Sequence, residues 1–587
     1  MSKNIALLPI TSPTAHTYQF ESQQPLSASD IITKRRMRLV DLTVDIPSSS
    51  RTTSIPNEGA KNPSRWQTLE FKFYYLVVCL VIPIMFWIPM NLSSPSHPAY
   101  PFYSARLSDG WLFHRKLDNS DAQYRSFRNN IPVLTIVASI LFLAKYLWKR
   151  AFWTSAHMSR DNLHLLPFNL VFSLLFLAGL HGTSIIKILL ILTVNYSLAK
   201  ACKSSKAGPV LTWAFNGFVL FMNDRYHGYR FGDILPSLEI LDAFVGFYPR
   251  WHISFNVTML RLISFNMDYY WSYKATGGNE TGKVLDERQR QSVSHPGEMY
   301  TYSYFITYAL YCPLYIAGPI MTFNDFLWQF RQPPQISRST IIRYSMRFLA
   351  CLMTMEFILH YMYVVAIKDK KAWVEFSPVE ISMVGFWNLI IVWLKLLIPW
   401  RFFRLWALAD GVDAPENMVR CMANNYSCFG FWRSWHRSYN LWIIRYIYIP
   451  LGGTKNVFVN SVLVFTFVAL WHDLTFKLLA WGWLVSLFIL PEMLARFLLP
   501  ASRYGTQTWY RHACALGAVM NILLMMTANL VGFVIGTDGM RFFINQLFET
   551  LAGYKFLAGA LCCLIVGAQL MFEYREEEKR AGIHRRC

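Results

Sequence analysis

The chain has 587 residues, of which 54% are hydrophobic, 16% aromatic and only 16% charged, and its mean hydropathy is +0.25. Soluble domains carry about a quarter charged residues, so an ordinary multidomain soluble enzyme is excluded. The formal net charge of +21 is spread along the flanks of apolar runs, which suits anionic lipid headgroups and gives no basis for nucleic-acid binding.

Residues 1–68 hold Ser, Thr and Pro runs and the basic cluster KRRMR at 34–38. Such a stretch cannot bury a core and reads as a disordered tail. Its charge places it on the cytoplasmic side, and it lacks the short apolar centre of a secretory leader. Apolar runs then recur at 69–90, 131–148, 165–180, 184–198, 302–323, 341–367, 379–400, 457–471, 476–499, 513–536 and 556–572. A helix needs roughly 20 such residues to cross about 30 Å of hydrocarbon. With the more polar stretches 210–222 and 255–271, the pattern predicts an all-α, polytopic integral membrane domain over 69–572. It contains about eleven to thirteen transmembrane or re-entrant helices. Residues 573–587, EYREEEKRAGIHRRC, read as a charged C-terminal tail. The ten cysteines are scattered without a CxxC pair, which predicts neither a zinc site nor a disulfide framework.

Polar side chains within a bilayer are costly and point to function by default. The run VFVNSVLVFTFVALW ends in His472 and Asp473. Two readings fit that histidine: a plain helix-end residue near water, or an imidazole that exchanges protons near neutral pH with Asp473 orienting a ring nitrogen. Upstream lies FWRSWHRSYNLWIIRYIYIPLGG, residues 431–453. As one helix over 431–446, it places His436 and Asn440 on one face, with Arg433 three residues before the histidine. Trp432, Trp435, Tyr439 and Trp442 wrap the same turns. The same segment reads equally as an interfacial amphipathic helix, with aromatics at headgroup depth and Arg433, Arg437 and Arg445 on phosphates. Pro450 and Gly452–Gly453 end it, and the next apolar helix returns, bringing His436 toward His472. Elsewhere, Arg261 and Asp268, two helical turns apart, predict an internal salt bridge. Glu356 and His360 predict a satisfied structural pair, with a proton relay as the alternative, and NDRYHGYRFGD at 223–233 a polar interhelical loop.

The pairing of WRSWHRSYN with the later WHD resembles the signature of the membrane-bound O-acyltransferase (MBOAT) family, as do LRLISFNMDYYW at 260–271 and YALYCPLYIAGPIMTFNDF at 308–326. SRWQTLEFKFYYLVV at 64–78 is similar to the start of the fungal glycerol-uptake (Gup) branch. The resemblance implies a ring of tilted helices around a catalytic tunnel, with acyl-CoA and a hydroxyl acceptor entering from different sides. His472 falls on the family's catalytic histidine and His436 on its second polar position. For the Gup branch it implies remodelling of the glycosylphosphatidylinositol (GPI) anchor: a long acyl chain passes from acyl-CoA to a lyso-GPI or lysophospholipid acceptor. The implied location is the endoplasmic reticulum membrane, with the plasma membrane as a second compartment. No bound cofactor is implied, and the singly spaced histidines predict no metal.

In that chemistry His472 removes the hydroxyl proton, and His436 or Asn440 donates to the oxyanion. Trp432, Arg433, Trp435, Asn440, Arg445 and Asp473 are the candidate substrate-binding residues, the arginines suiting phosphates of CoA or lipid. Nothing resembles an activated covalent nucleophile, which favours direct transfer. Two rivals remain: a proton-coupled glycerol or polyol transporter, and an acyltransferase whose acceptor is a protein.

Overall fold

The computed structural model describes residues 63–151, 161–274, 284–472, 476–581 and 583. Most of the predicted tail at 1–68, and Asp473, lie outside them. The one sheet among the described residues is a two-stranded antiparallel ribbon, Leu107–Asp109 with Lys116–Asp118. The architecture is otherwise helical.

Among the described residues seven helical spans are long and apolar enough to cross a membrane; the longest, Leu163–Cys202, is two helices, Leu166–His181 and Ile185–Cys202, that meet at Gly182. Their starts are written locally. Thr68 accepts from the Phe71 amide, Thr550 from the Gly553 amide, and Ser377 forms a capping box with Glu380, each satisfying amides that a helix start leaves unpaired. Prolines 83, 132, 399 and 491 sit inside these helices, where neighbouring protein can re-satisfy the freed backbone.

Burial separates an outer ring from a centre. The apolar windows of Leu69–Leu92 and Ala122–Ala151 are only 17% buried, whereas that of Pro378–Asp410 is 56% buried. The outer helices present Phe73, Leu80, Ile84, Ile136, Ile140 and Leu143 to the surroundings. An apolar belt of that extent on a soluble protein would be an aggregation surface; here it faces lipid.

Inside the ring the helices are short and broken. The stretch 302–323, predicted as a single span, is instead Tyr302–Ala309 followed by Cys312–Tyr315 and an irregular segment leading to Phe323–Arg331. Broken helices at membrane depth need partners for their freed carbonyls, and Arg261 supplies them. Its guanidinium donates to the Ala309 and Leu314 carbonyls at 2.8 and 2.6 Å. The predicted Arg261–Asp268 salt bridge therefore does not form.

Glu356 and His360 are structural, although not through a contact between their side chains. The carboxylate accepts from Tyr124 at 2.8 Å and Trp111 at 3.0 Å, while His360 bonds the Glu356 backbone carbonyl at 2.7 Å. Residues 573–580, set apart by sequence as a charged tail, continue the helix Leu551–Arg580. Their charges hold it in place: Glu578 pairs in bidentate fashion with buried Arg420, and Glu573 accepts from the Arg65 amide.

Candidate active site

The segment around His436 is two helices rather than one. Cys428–Ser434 ends at Trp435, which is extended, and His436 adopts φ 45°, ψ 52° before Arg437–Ile443 begins. Left-handed backbone is uncommon outside glycine, with Asn, Asp and His the usual exceptions. Asn417 holds the break. Its carbonyl accepts from the Arg437 amide at 2.9 Å and its side-chain oxygen from the Ser438 amide at 3.2 Å, so it caps the second helix from outside. The His436 ring stacks on Trp400, with centroids 4.4 Å apart and planes at 23°. Because Asn417 is fully buried, Asn417→Ala is expected to cost about 1–2 kcal/mol of stability, the value of a helix cap, and to release the His436 turn. Thermal unfolding in detergent, together with accelerated amide exchange at 436–439, checks this.

The chain then passes through a π-helical turn, Ile444–Tyr448, reverses at Gly452, and returns as Val457–His472. Sixteen residues make that helix about 24 Å long. It lies antiparallel to Arg437–Ile443, since Tyr439 meets Trp471 (4.5 Å) and Trp442 meets Phe467 (5.9 Å). Small residues seat it from the other side: a Cβ on Gly482 would lie 2.9 Å from the Phe465 carbonyl oxygen, a close approach of the kind common between membrane helices. The two histidines are thereby joined by ring contacts, His436 to Tyr439 at 5.2 Å, Tyr439 to Trp471, and Trp471 to His472 at 4.8 Å. Neither imidazole is hydrogen-bonded to a described residue. The Tyr439 hydroxyl is buried and likewise without a partner.

His472 is the last residue of its helix and opens on a cavity of about 360 Å³. Three helix ends meet there: the histidine helix, Ala207–Tyr226 and Trp251–Ser272. Leu470, Trp471, Leu220 and Ile253 give it apolar wall, and Asn223, Asp224, His227, His252 and Asn256 give it polar wall. The Asn256 carbonyl accepts from the Trp471 indole at 3.0 Å, which fixes that ring beside His472. Sequence reading missed Asn223 and Asp224 as site residues because the polar run at 223–233 looks like a solvated loop. The signal was there in part, since that run begins inside the last turn of an apolar helix. His252, Asn256 and Trp400 carry no comparable mark. A broader depression near Arg230, Glu239 and Asp242, of about 620 Å³, lacks a histidine, and its Asp242 carboxylate is committed to the Phe231 and Gly232 amides.

The membrane-bound O-acyltransferase family profile matches residues 242–537, which include both histidines and the helices between them. The chain is 46% identical over 555 residues to the membrane-bound O-acyltransferase GUP1 of Saccharomyces cerevisiae, covering 92% of this chain and 97% of that protein. It is 36% identical to GUP2 of the same yeast over 620 residues, 99% of this chain and 100% of that protein. This chain belongs to the membrane-bound O-acyltransferase family. A more distant likeness, 27% identity over 271 residues, relates this acyltransferase to the mouse protein-cysteine N-palmitoyltransferase HHAT, over 43% of this chain and 54% of that protein.

The remaining predicted site residues of this O-acyltransferase that the structure describes lie outside the wall of the cavity. Trp432 packs between Phe465 and Trp481, and Trp435 stacks on Phe431; both support the two site helices. Asn440 lies on Arg437–Ile443, its amide donating to the His436 carbonyl at 3.0 Å, and is not part of the cavity wall. Arg445 is not a free phosphate fork. Its Nε and Nη2 both donate to Asp268 Oδ1, at 3.3 and 2.8 Å, because a fully buried carboxylate must be paired. Arg437 pairs with Glu287 at 3.2 Å. Arg433 is exposed over the Phe429 ring and has no carboxylate partner among the described residues.

Proposed function

We propose that this acyltransferase moves a long acyl chain from acyl-CoA to the hydroxyl of a lysolipid, with His472 as general base, and that the acceptor it serves is the GPI-anchor lipid of the endoplasmic reticulum. The observation that carries the reaction is the imidazole of His472, without a hydrogen-bond partner among the described residues, facing a cavity whose described polar wall contains no lysine or arginine. A neutral hydroxyl fits there. The phosphates of CoA do not.

The steps balance without a covalent enzyme intermediate. His472 takes the proton from the acceptor hydroxyl as its oxygen attacks the thioester carbonyl carbon. The tetrahedral intermediate collapses, the carbon–sulfur bond breaks, and the thiolate leaves as CoA after receiving the proton from the imidazolium. The negative end of the helix ending at His472 favours that imidazolium while it exists. The oxyanion is assigned to His436 and to the Tyr439 hydroxyl; that hydroxyl has no partner among the described residues and, like His436, stands outside the cavity wall. Arg433, unpaired and exposed, suits a CoA phosphate. The GPI acceptor and the compartment are supported by the likeness of the first membrane helix and its approach to the fungal Gup branch.

The test uses purified protein in lipid nanodiscs with radiolabelled long-chain acyl-CoA and lysophosphatidylinositol. Labelled phosphatidylinositol is the expected product. Absence of product, together with proton-driven polyol uptake by the same protein in sealed vesicles, would sink the proposal in favour of transport.

A further inference from the structure

The wall facing His472 contains polar groups that the acyl-transfer chemistry leaves unused. Asn223 is 2% exposed, yet both atoms of its side-chain amide lack a hydrogen-bond partner among the described residues. A buried, unsatisfied amide costs about 1–3 kcal/mol, which a protein bears where a ligand supplies the missing bonds. His252 Nδ1 is also buried and unpartnered. Its ring is held over the Gly228 turn, where φ is +87° and a Cβ would lie 2.7 Å from that nitrogen. Asp224 and His227 stand exposed at the mouth.

The donor set is specific in kind. An amide offers both donors and acceptors, an imidazole one of each, and a carboxylate only acceptors. No lysine or arginine lines the cavity among the described residues, which disfavours the clustered phosphates of a nucleotide. The rings of His227 and His252 are 6.4 Å apart, and no trio of metal-ligating residues converges among the described residues. Neighbouring hydroxyls, each able to donate and accept, satisfy this set. The volume of about 360 Å³ lies at the small end of ligand pockets, which run about 300–1,000 Å³; it has room for one sugar-sized unit.

We infer that Asn223 and His252 form a headgroup subsite that binds the acceptor through an uncharged polyol unit, with Asp224 and His227 receiving it at the mouth. The subsite rests on the acyl-transfer reading and deepens it, since it makes this cavity the acceptor side of the reaction and sends the CoA nucleotide elsewhere.

The experiment compares wild type, Asn223→Leu, His252→Leu and the mouth variant His227→Gly in nanodiscs. The acceptors are lysophosphatidylinositol and lysophosphatidylcholine, and acyl-CoA is varied separately. Wild type is expected to prefer the inositol acceptor by about tenfold in kcat/KM. Each interior variant is expected to raise the KM for that acceptor about tenfold, as loss of a buried hydrogen bond does, without moving the KM for acyl-CoA. His227→Gly, exposed and at a left-handed φ of 48° that glycine adopts without strain, should give a smaller shift in the same direction. Equal use of both acceptors by wild type, or a matching rise in the KM for acyl-CoA, overturns the subsite. Free myo-inositol separates the two sources of polyol. Competition in wild type and not in Asn223→Leu assigns recognition to the ring itself, and lack of competition assigns it to the lipid-linked headgroup. If wild type acylates neither lysolipid, it is the acyl-transfer reading that fails. The subsite is then read by thermal shift: stabilisation by lysophosphatidylinositol in wild type and not in Asn223→Leu sustains it, and equal shifts overturn it.

Discussion

His472→Ala is expected to lower acyl transfer by at least 10²–10⁴-fold, the usual contribution of a positioned general base, while the protein remains folded in the membrane. Both halves follow from its position. The ring makes no hydrogen bond to a described residue, touches Trp471, and ends its helix on an open cavity. Removing it enlarges the cavity and leaves no buried group unpaired, so the stability change should stay within about 0.5 kcal/mol, as for substitutions away from packed features. Initial rates with labelled acyl-CoA, read beside the gel-filtration profile and melting temperature, check both. A variant that keeps a tenth of the wild-type rate would remove His472 from the base role.

Arg445→Leu should show the opposite signature, a loss of fold with no special effect on donor binding. Asp268 is fully buried; beside the Arg445 guanidinium it accepts from the Tyr446 hydroxyl at 3.0 Å and the Asn324 amide at 3.2 Å. Deleting one partner of a buried pair strands the other charge, at about 3–5 kcal/mol. Replacing both, Asp268→Asn with Arg445→Leu, should recover much of that, because the uncompensated charge is the main cost. Exposed Arg433→Leu is the control: it should melt with wild type and, if it meets a CoA phosphate, raise the KM for acyl-CoA. Equal melting temperatures for Arg445→Leu and Arg433→Leu would show that the Asp268 pair does not hold the fold.

The hairpin that brings His436 and His472 together was legible because its causes are local: Pro450, two glycines and two apolar helices of opposite direction. The break at His436 was not. Residues 431–446 contain no glycine or proline, and their aromatic spacing suits an unbroken helix. What interrupts it is Asn417, far enough upstream that no window of periodicity includes both. The same reason explains Arg445 and Arg261. Each sits on a helix where a phosphate or a carboxylate two turns away would serve, and each is claimed by a partner brought from a distant segment, Asp268 for one and the Ala309 and Leu314 carbonyls for the other. Asn223 was hidden by its neighbours, since a polar run at a helix end looks wet whichever way its first residue turns.

The ring series between the histidines has a consequence for how protons travel. A Grotthuss relay needs lone pairs and N–H or O–H groups in unbroken succession. Between His436 and His472 the series passes through Trp471, whose single N–H is committed to the Asn256 carbonyl and whose remaining contacts are carbon faces. The indole is an insulator set between two titratable groups. In the proposed reaction a proton accepted at His472 leaves by way of the cavity, because along the ring series the Trp471 indole offers no lone pair to hand it to His436.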